Sequence, residues 1–378
     1  MKSLMALGQL ELEADKPEAA LIPLRKAVAL EPDQQRARLD YGSALAESDR
    51  PREAIRQFKA VQRLNAHEDR ALHASVENYI QQLQTELRGR IEYSLSLIYD
   101  DNVNIGPNRD VIELFDLPFT LTEDSRPQDD LALQFKVGVD RELPLNDWKI
   151  RVSANASHTL HFDQNDFDFT FFDFSIGPTW DDLMFLGRAA AATTDLHIYG
   201  SWLNSDLYYT TASLRGSHQT VLSPGWVLNN QLMLELSDND QFSGRSGGTY
   251  RLQSGLDHYL TPRTKLTPKI SYAVDDADEA IFASSQFGLG FAALHSFTGG
   301  TSLYSELSYR NIAFDEREAA NDATRDDDQL VFIANVSRPL PWKGTHGSLG
   351  FTRIDNSSNI GFSDYDRNRF AIQAFKRF

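Results

Sequence analysis

The feature that most restricts how this chain can fold is the stretch Leu131 to Phe162. Leu131, Leu133, Phe135, Val137 and Val139 alternate with Ala132, Gln134, Lys136, Gly138 and Asp140. Pro144 to Asp147 then turns the chain, and Trp148, Ile150, Val152, Ala154 and Ala156 alternate with Lys149, Arg151, Ser153, Asn155 and Ser157. A strict period of two, twice over, specifies antiparallel strands with one apolar and one polar face. The strands reach about ten residues, enough to cross a bilayer, and similar units follow one another to Phe378. A soluble sandwich shares the alternation and the turns, but not the strand length or the rim pattern described below.

Composition does not oppose a membrane reading. The 378 residues are 41% hydrophobic and the mean hydropathy is -0.42, values that suit a soluble protein of two or three domains. No apolar run of about 18 residues occurs, which excludes helical spans, whereas a transmembrane barrel never produces one because alternate residues face a wet interior. Cysteine is absent, so disulfides, thiolate metal sites and cysteine nucleophiles are excluded. The net charge of -17 argues against a nucleic-acid partner, since a basic face would have to form against the overall field.

Residues 1 to about 85 carry a helical repeat. Leu4, Leu7, Gly8, Ala20, Leu24, Ala27 and Pro32 are matched 34 positions on by Arg38, Tyr41, Gly42, Ala54, Phe58, Val61 and Ala66. That spacing and its small-large-small order resemble the tetratricopeptide repeat, with Arg38 and Ala66 departing from it. Leu72, Val76, Tyr79, Ile80 and Leu83 form one more amphipathic helix that can close the stack. Such stacks normally need at least three repeats, and Met1 to Ala14 already form a repeat helix with no signal-like leader before it. The expectation is therefore a native start further upstream.

From Arg90 the period becomes two. Ile91, Tyr93, Leu95, Leu97 and Tyr99 form a first strand that ends in Asp100, Asp101 and Asn102. After the polar segment 100 to 130 and the opening hairpin, strands are expected near 167–177, 183–195, 206–220, 226–237, 249–260, 264–274, 282–295, 301–313, 328–338, 345–355 and 367–378. The total is about fourteen, an even number as in bacterial barrels. Connections alternate between two kinds. Pro144 to Asp147, Gly177 to Asp182, Ser223 to Gly225, Thr261 to Arg263, Ser296 to Gly300 and Leu340 to Gly344 read as short turns. Segments 100–130, 196–205, 238–248, 275–281, 314–327 and 356–366 read as longer acidic loops, with 162–166 short but acidic. Short turns at one rim and long loops at the other imply a periplasmic turn rim, and so a periplasmic helical domain. Trp148, Trp180, Trp226 and Trp342 fall at the short-turn ends and only Trp202 in a long connection, as an interfacial belt would place them. The last strand puts Phe370, Ile372, Ala374 and Phe378 on one face, with Lys376 interrupting it.

The inward phase is polar and mixed in sign. Its expected lumen-lining residues are Glu92, Lys136, Asp140, Arg151, Asn155, Glu235, Arg251, Lys269, Glu306, Arg310 and Arg377, with Gln231, Asp257 and Gln373 in the same phase. Such a wall suits either a water-filled channel or a lumen closed by ion pairs. Rim acids Asp100 with Asp101, Asp129 with Asp130, Asp275 with Asp276, and Asp326 to Asp328, near His161 and His197, offer a remote hydrolytic alternative. Solvation or divalent cations bridging surface lipid phosphates also explain acidic loops. No phosphate-binding loop, zinc spacing or nucleophile elbow appears, so no cofactor, metal site or enzymatic activity is expected.

The segment Tyr99, Asp100, Asp101, Asn102, Val103 and Asn104 closes the first strand directly after the repeat domain. This Tyr-Asp-x-Asn-Val-Asn ending, with a repeat domain before it and about fourteen strands after it, resembles the Slam family, the surface lipoprotein assembly modulators of Gram-negative bacteria. The resemblance covers almost the whole chain and marks Tyr99, Asp100, Asn102, Val103 and Asn104 as family-like positions. Asn102 and Asn104 can equally form side-chain turns where a strand ends.

The expected architecture is an all-β transmembrane barrel of about 14 antiparallel strands over residues 88–378, preceded by a small tetratricopeptide-like helical domain over 1–87. The resemblance implies an outer-membrane translocator that delivers lipoproteins or related secreted proteins to the bacterial surface. Its implied partners are outer-membrane lipid, the protein cargo, periplasmic chaperones and the barrel-assembly machinery. An exporter of polysaccharide or a porin-like channel is the alternative.

Overall fold

The structure, a computed structural model, describes residues 1–48, 50–64, 70–145 and 148–378. Ala66 and the turn residues Asn146 and Asp147 lie outside them. Two compact units are present, Met1–Arg90 and Ile91–Phe378.

The first unit holds, among the described residues, five helices: α1 Lys2–Glu13, α2 Pro17–Leu30, α3 Gln35–Glu47, α4 Pro51–Leu64 and α5 Arg70–Arg88. Pro17 and Pro51 open their helices, where proline's missing amide hydrogen costs nothing. Gly8 and Gly42 explain the small-large pairing of the repeat. A Cβ on Gly8 would stand 2.4 Å from Leu24 Cγ, and one on Gly42 2.7 Å from Phe58 Cε1. Leu24 and Phe58, almost fully buried, thus fill the grooves those glycines leave. Tyr79 of α5 packs edge-on against Phe58 at 5.1 Å. Gln62 and Gln81 both donate to Glu77, at 2.6 and 3.1 Å, which ties α4 to α5 and holds the Glu77 carboxyl below its usual range. Arg38, the departure from the repeat pattern, bonds Pro32 O at 2.6 Å and Gln57 at 2.9 Å. This region fits a tetratricopeptide-like domain.

The second unit is a closed barrel of fourteen strands among the described residues. They are β1 Arg90–Asp100, β4 Asp130–Leu145, β5 Trp148–His161, β6 Phe169–Phe185, β7 Arg188–Leu203, β8 Asp206–Ser223 and β9 Trp226–Asn239. They continue as β10 Gly247–Thr261, β11 Thr264–Ala277, β12 Ser284–Ser296, β13 Ser302–Glu318, β14 Ala323–Pro339, β15 Thr345–Ser358 and β16 Tyr365–Arg377. A separate hairpin, β2 Val111–Leu114 with β3 Leu117–Thr120, stands in the first connection. Each barrel strand from β4 to β16 pairs with its neighbour in sequence, and β1 stands between β16 and β4 to close the cylinder. Beyond β16, Phe378 exchanges backbone bonds with Ile91 at 3.0 and 3.3 Å. Lys376, which interrupts the apolar face, places its ammonium 4.6 Å from the Phe378 ring, where the aromatic face stabilises the charge.

The opening hairpin pairs Val137 with Ala156 and Val139 with Ala154, so its apolar residues share one face. Leu95, Leu97, Phe135, Val137, Leu234, Leu252, Leu289 and Phe332 are all exposed on that outer face, while Ser94, Ser96, Ser153, Ser175 and Ser213 are buried on the opposite one. Small polar residues crowd together on the inner wall because it is concave.

Two sequence expectations need correction. Gly177 to Asp182 is no turn: β6 runs through it to Phe185, and the reversal occurs at Leu186 and Gly187. The Asp-Asp pair falls at a register shift between Trp180 and Leu183, an irregularity that uses the same residue types as a turn, while Gly177 and Pro178 precede it in the unshifted ladder. Gly177 is required there, since a Cβ would overlap Thr194 O at 1.8 Å. Trp180 therefore lies within β6, stacked 6.5 Å from Trp148. The long-loop rim is also less loopy than its acidity suggests. Segment 196–205 belongs mostly to β7, leaving Asn204 and Ser205 as the reversal, and β13 and β14 consume most of 314–327. Asp275, Asp276 and Asp326 to Asp328 accordingly sit on strands. Polar cross-strand bonds carry the ladder there without an apolar face: Asn311 donates to Asp326 at 2.8 Å and Tyr309 to Asp328 at 2.5 Å.

Candidate functional site

The inner wall brings its charged residues together in groups. Arg377 and Glu92 pair across the last and first strands. Arg151 meets Asp140 at 2.8 Å, and Asn155 donates to Asp173 at 3.2 Å. Lys269 meets Glu306 at 2.8 Å and lines one cavity with Arg251 and Arg310. Glu235 stands apart from these, in a wider cavity at the long-loop end. Lys136 is opposite Ser157 and, among the described residues, has no ion-pair partner. The histidines do not converge. His161 Nδ1 lies 3.4 Å from Asp168, outside hydrogen-bond geometry, and His197 lies 3.1 Å from Asp173 lower in the wall. Each is a single pair rather than part of a constellation.

The family-like positions organise the first connection, residues 101–129. Asp100 has a side chain 5% exposed and receives Arg367 Nε at 2.8 Å, with Arg367 Nη2 on its other oxygen. Arg369 Nε stands 3.0 Å from that second oxygen, off the hydrogen-bond axis, and acts through charge. Two arginines thus converge on one carboxylate, and charge-assisted bonds of this kind are the strong ones. The other Asp100 oxygen accepts the Asn102 amide at 3.2 Å.

Asn102 is the centre of the knot that follows. Its amide nitrogen donates to Gly106 O and Asp366 O, both at 2.9 Å, and its oxygen accepts Gly106 N at 2.7 Å. The buried side chain thus does what a backbone ladder would do, at a place where the chain must leave the barrel. Asn104 repeats the device, donating to Arg126 O at 2.7 Å and Asp124 O at 3.1 Å while accepting Gln128 N at 3.0 Å. Val103 is buried and its amide reaches Gln128 O at 2.8 Å. Tyr99, on the outer face, donates to Asp129 at 3.3 Å. Between the two asparagine-bound ends, Ile105 is held at φ +56 and Gly106 lies so close to the returning chain that a Cβ would meet Arg126 C at 2.5 Å.

This anchored loop covers part of the long-loop rim. Asn108 N bonds Asp364 O at 3.0 Å, Arg109 pairs with Asp364 at 3.1 Å, and Phe115 N bonds Ala320 O at 2.6 Å. The hairpin β2–β3 therefore lies against the connections after β13 and β15. Ile105 enters the wide cavity of about 670 Å³ at that end, lined also by Phe169, Tyr199, Tyr208, Phe314 and Tyr365. Residues from β6 round to β16 share this space, which places Ile105 in the mouth of the barrel.

Arg367 and Arg369 were missing from the candidate set. Their phase was a usable signal, because both share the inner parity of Gln373 and Arg377. Asp327 was assigned to a loop, yet it is 1% exposed and pairs with Arg325 at 2.6 Å. Only the extended ladder shows that it faces inward.

The model of the family described as "Surface lipoprotein assembly modifier" matches residues 90–378. No curated protein matches the chain. Among solved structures, the chain is similar to OccAB4 of Acinetobacter baumannii, with 10% identity over 77% of this chain and 98% of that one at a TM-score of 0.40. It is also similar to OpdK, an outer membrane protein of Pseudomonas aeruginosa, at 9% identity, 77% and 99% coverage and a TM-score of 0.39. A loop-deletion mutant of OmpT, an outer membrane protein of Vibrio cholerae, matches at 7% identity, 77% and 100% coverage and a TM-score of 0.38. The family match spans the whole barrel, including the knot at Asp100 to Asn104 and the arginines that hold it. With an apolar outer face around a closed barrel, this is an outer-membrane protein with a role in surface lipoprotein assembly, and the chain belongs to the surface lipoprotein assembly modifier family.

Proposed function

We propose that the barrel delivers lipoproteins, or related secreted proteins, across the outer membrane to the cell surface, without enzymatic chemistry. The observation that carries this reading is the family match over residues 90–378, which contain a closed barrel with a polar, charge-mixed inner wall. A wet wall lets polar chain pass without desolvating its backbone. The anchored first loop favours a covered conduit over a simple open pore. Periplasmic chaperones and the barrel-assembly machinery complete the proposed partners, and the helical unit works on the periplasmic side.

Protease shaving of cells tests the reading. With this protein expressed beside a lipoprotein encoded next to it, the lipoprotein should become protease-accessible, and it should stay protected without the barrel. Equal exposure in both cases defeats the proposal and leaves polysaccharide export or porin-like passage.

Orientation is open to a separate measurement. Single cysteines at Ser243, Arg317 and Ser357, all exposed near the long-loop rim, should react with an impermeant maleimide on intact cells. A cysteine at Ser223, exposed at the short-turn end of β8, should stay unlabelled. The reverse pattern would turn the barrel over and put the helical unit on the wrong side for its proposed role.

A further inference from the structure

The cavity that Arg251, Lys269 and Arg310 share lies on the inner wall across β10 to β14 and measures about 280 Å³. Among the described residues the only acid lining it is Glu306, which is already engaged: Lys269 Nζ is 2.8 Å away and the Tyr304 hydroxyl donates to the same oxygen. Three cations against one carboxylate leave two positive charges, in a chain whose net charge is -17.

Neither arginine is neutralised. Arg310 donates to two neutral amides, Gln329 Oε1 at 2.6 Å and Gln286 Oε1 at 3.3 Å. The nearby Asp275 is spent elsewhere, accepting Thr249 at 2.8 Å and the Gln286 amide. Arg251 has no ion-pair partner among the described residues. A guanidinium carries five donors, so both arginines keep unused N–H groups. Buried or half-buried cations normally come paired, and unpaired ones cost free energy that a bound anion would recover. Gly288 and Gly290 hollow the wall between them: a Cβ on Gly288 would meet Ser271 Oγ at 2.4 Å, and one on Gly290 would lie 3.6 Å from Lys269 Cβ. The volume suits a small oxyanion with a few waters, at about 30 Å³ for each water.

We infer that this cavity is an oxyanion site, which takes a carboxylate or phosphate group between Arg251 and Arg310. The forked donors of arginine match the planar carboxylate and the phosphate alike. The group can belong to a free solute or to an acidic side chain of a polypeptide in the lumen. The inference does not depend on the identity of the transported cargo, and its test uses no cargo.

The test is calorimetric titration of the purified full chain in detergent, at constant ionic strength, with inorganic phosphate, acetate and an acidic peptide whose carboxyl terminus is amidated. Arg251→Gln and Arg310→Gln should each weaken binding by about tenfold, or about 1.4 kcal/mol. Glu306→Gln should strengthen it severalfold, because it removes the one negative charge facing the site and frees Lys269. That increase guards the test against loss of folding, which can only weaken binding; barrel integrity is read from the mobility shift between unheated and boiled samples. Preference for the peptide over acetate supports the site and assigns it to a passing chain, and comparable affinity supports it as a solute site. Absence of binding by all three probes overturns the inference, as does unchanged affinity in both arginine variants or weakened binding in a folded Glu306→Gln barrel.

Discussion

Asp100→Asn should release the first connection from the barrel and raise the rate of tryptic cleavage after Arg109 by at least about a hundredfold. The substitution keeps the shape of the side chain but leaves Arg367 and Arg369 facing each other without their shared carboxylate. Breaking a buried pair from one side costs about 3–5 kcal/mol, more than any exposed ion pair supplies. The loss should propagate to Asn102, whose amide Asp100 accepts, and then to the Gly106 and Asp366 contacts. Arg109 is the scissile position of choice because its side chain is half exposed and lies inside the anchored loop, whereas Arg126 precedes Pro127 and resists trypsin. If the open state exchanges quickly, the cleavage rate follows its population, and each 1.4 kcal/mol contributes a factor of ten. The measurement is a time course of digestion on the purified barrel, with the mobility shift confirming that the cylinder stays closed. Cleavage at the unmodified rate would show that Asp100 does not hold the loop.

Val137→Arg should deplete the folded barrel from the outer-membrane fraction, whereas Lys136→Ala should leave it intact. The two residues are adjacent and face opposite ways. Val137 is exposed on the outer face, in an apolar groove with Tyr93, Leu95, Phe135 and Ala156, and pairs with Ala156 on β5. An arginine there puts a charge on the outward-facing apolar side and costs roughly 2–4 kcal/mol near the bilayer midplane. Lys136 points inward opposite Ser157, where water replaces whatever the ammonium gives up. The readout is the amount of heat-modifiable band in isolated outer membranes. Equal accumulation of both variants would mean that this outer face does not meet hydrocarbon, and depletion by Lys136→Ala alone would reverse the assignment of faces.

Leu131 to Val139 and Trp148 to Ala156 were legible as a hairpin because side-chain alternation is a local property of extended backbone. The same locality explains the errors. Gly177, Pro178, Asp181 and Asp182 suit a turn and a disturbed ladder equally well, and only the continued pairing of β6 with β7 distinguishes them. Beyond the apolar belt, strand propensity no longer shows as alternation. Asp326 therefore reads as loop although it accepts a bond from Asn311 across β13 and β14.

The family-like segment shows the division most clearly. Its asparagines were readable as side-chain turns, because an asparagine competes locally for backbone groups wherever a strand ends. The partners of Asp100 were not readable, since Arg367 is 267 positions away. Sequence by itself determined the period of the strands, the repeat of the helices and the polarity of each face, all of which depend on neighbours within a few residues. The tertiary structure decided which charges meet, because closing the cylinder sets β16 against β1 and turns separately polar strands into one wall. Electrostatic pairing depends on distances through space, and those are fixed by closure and register, not by spacing along the chain.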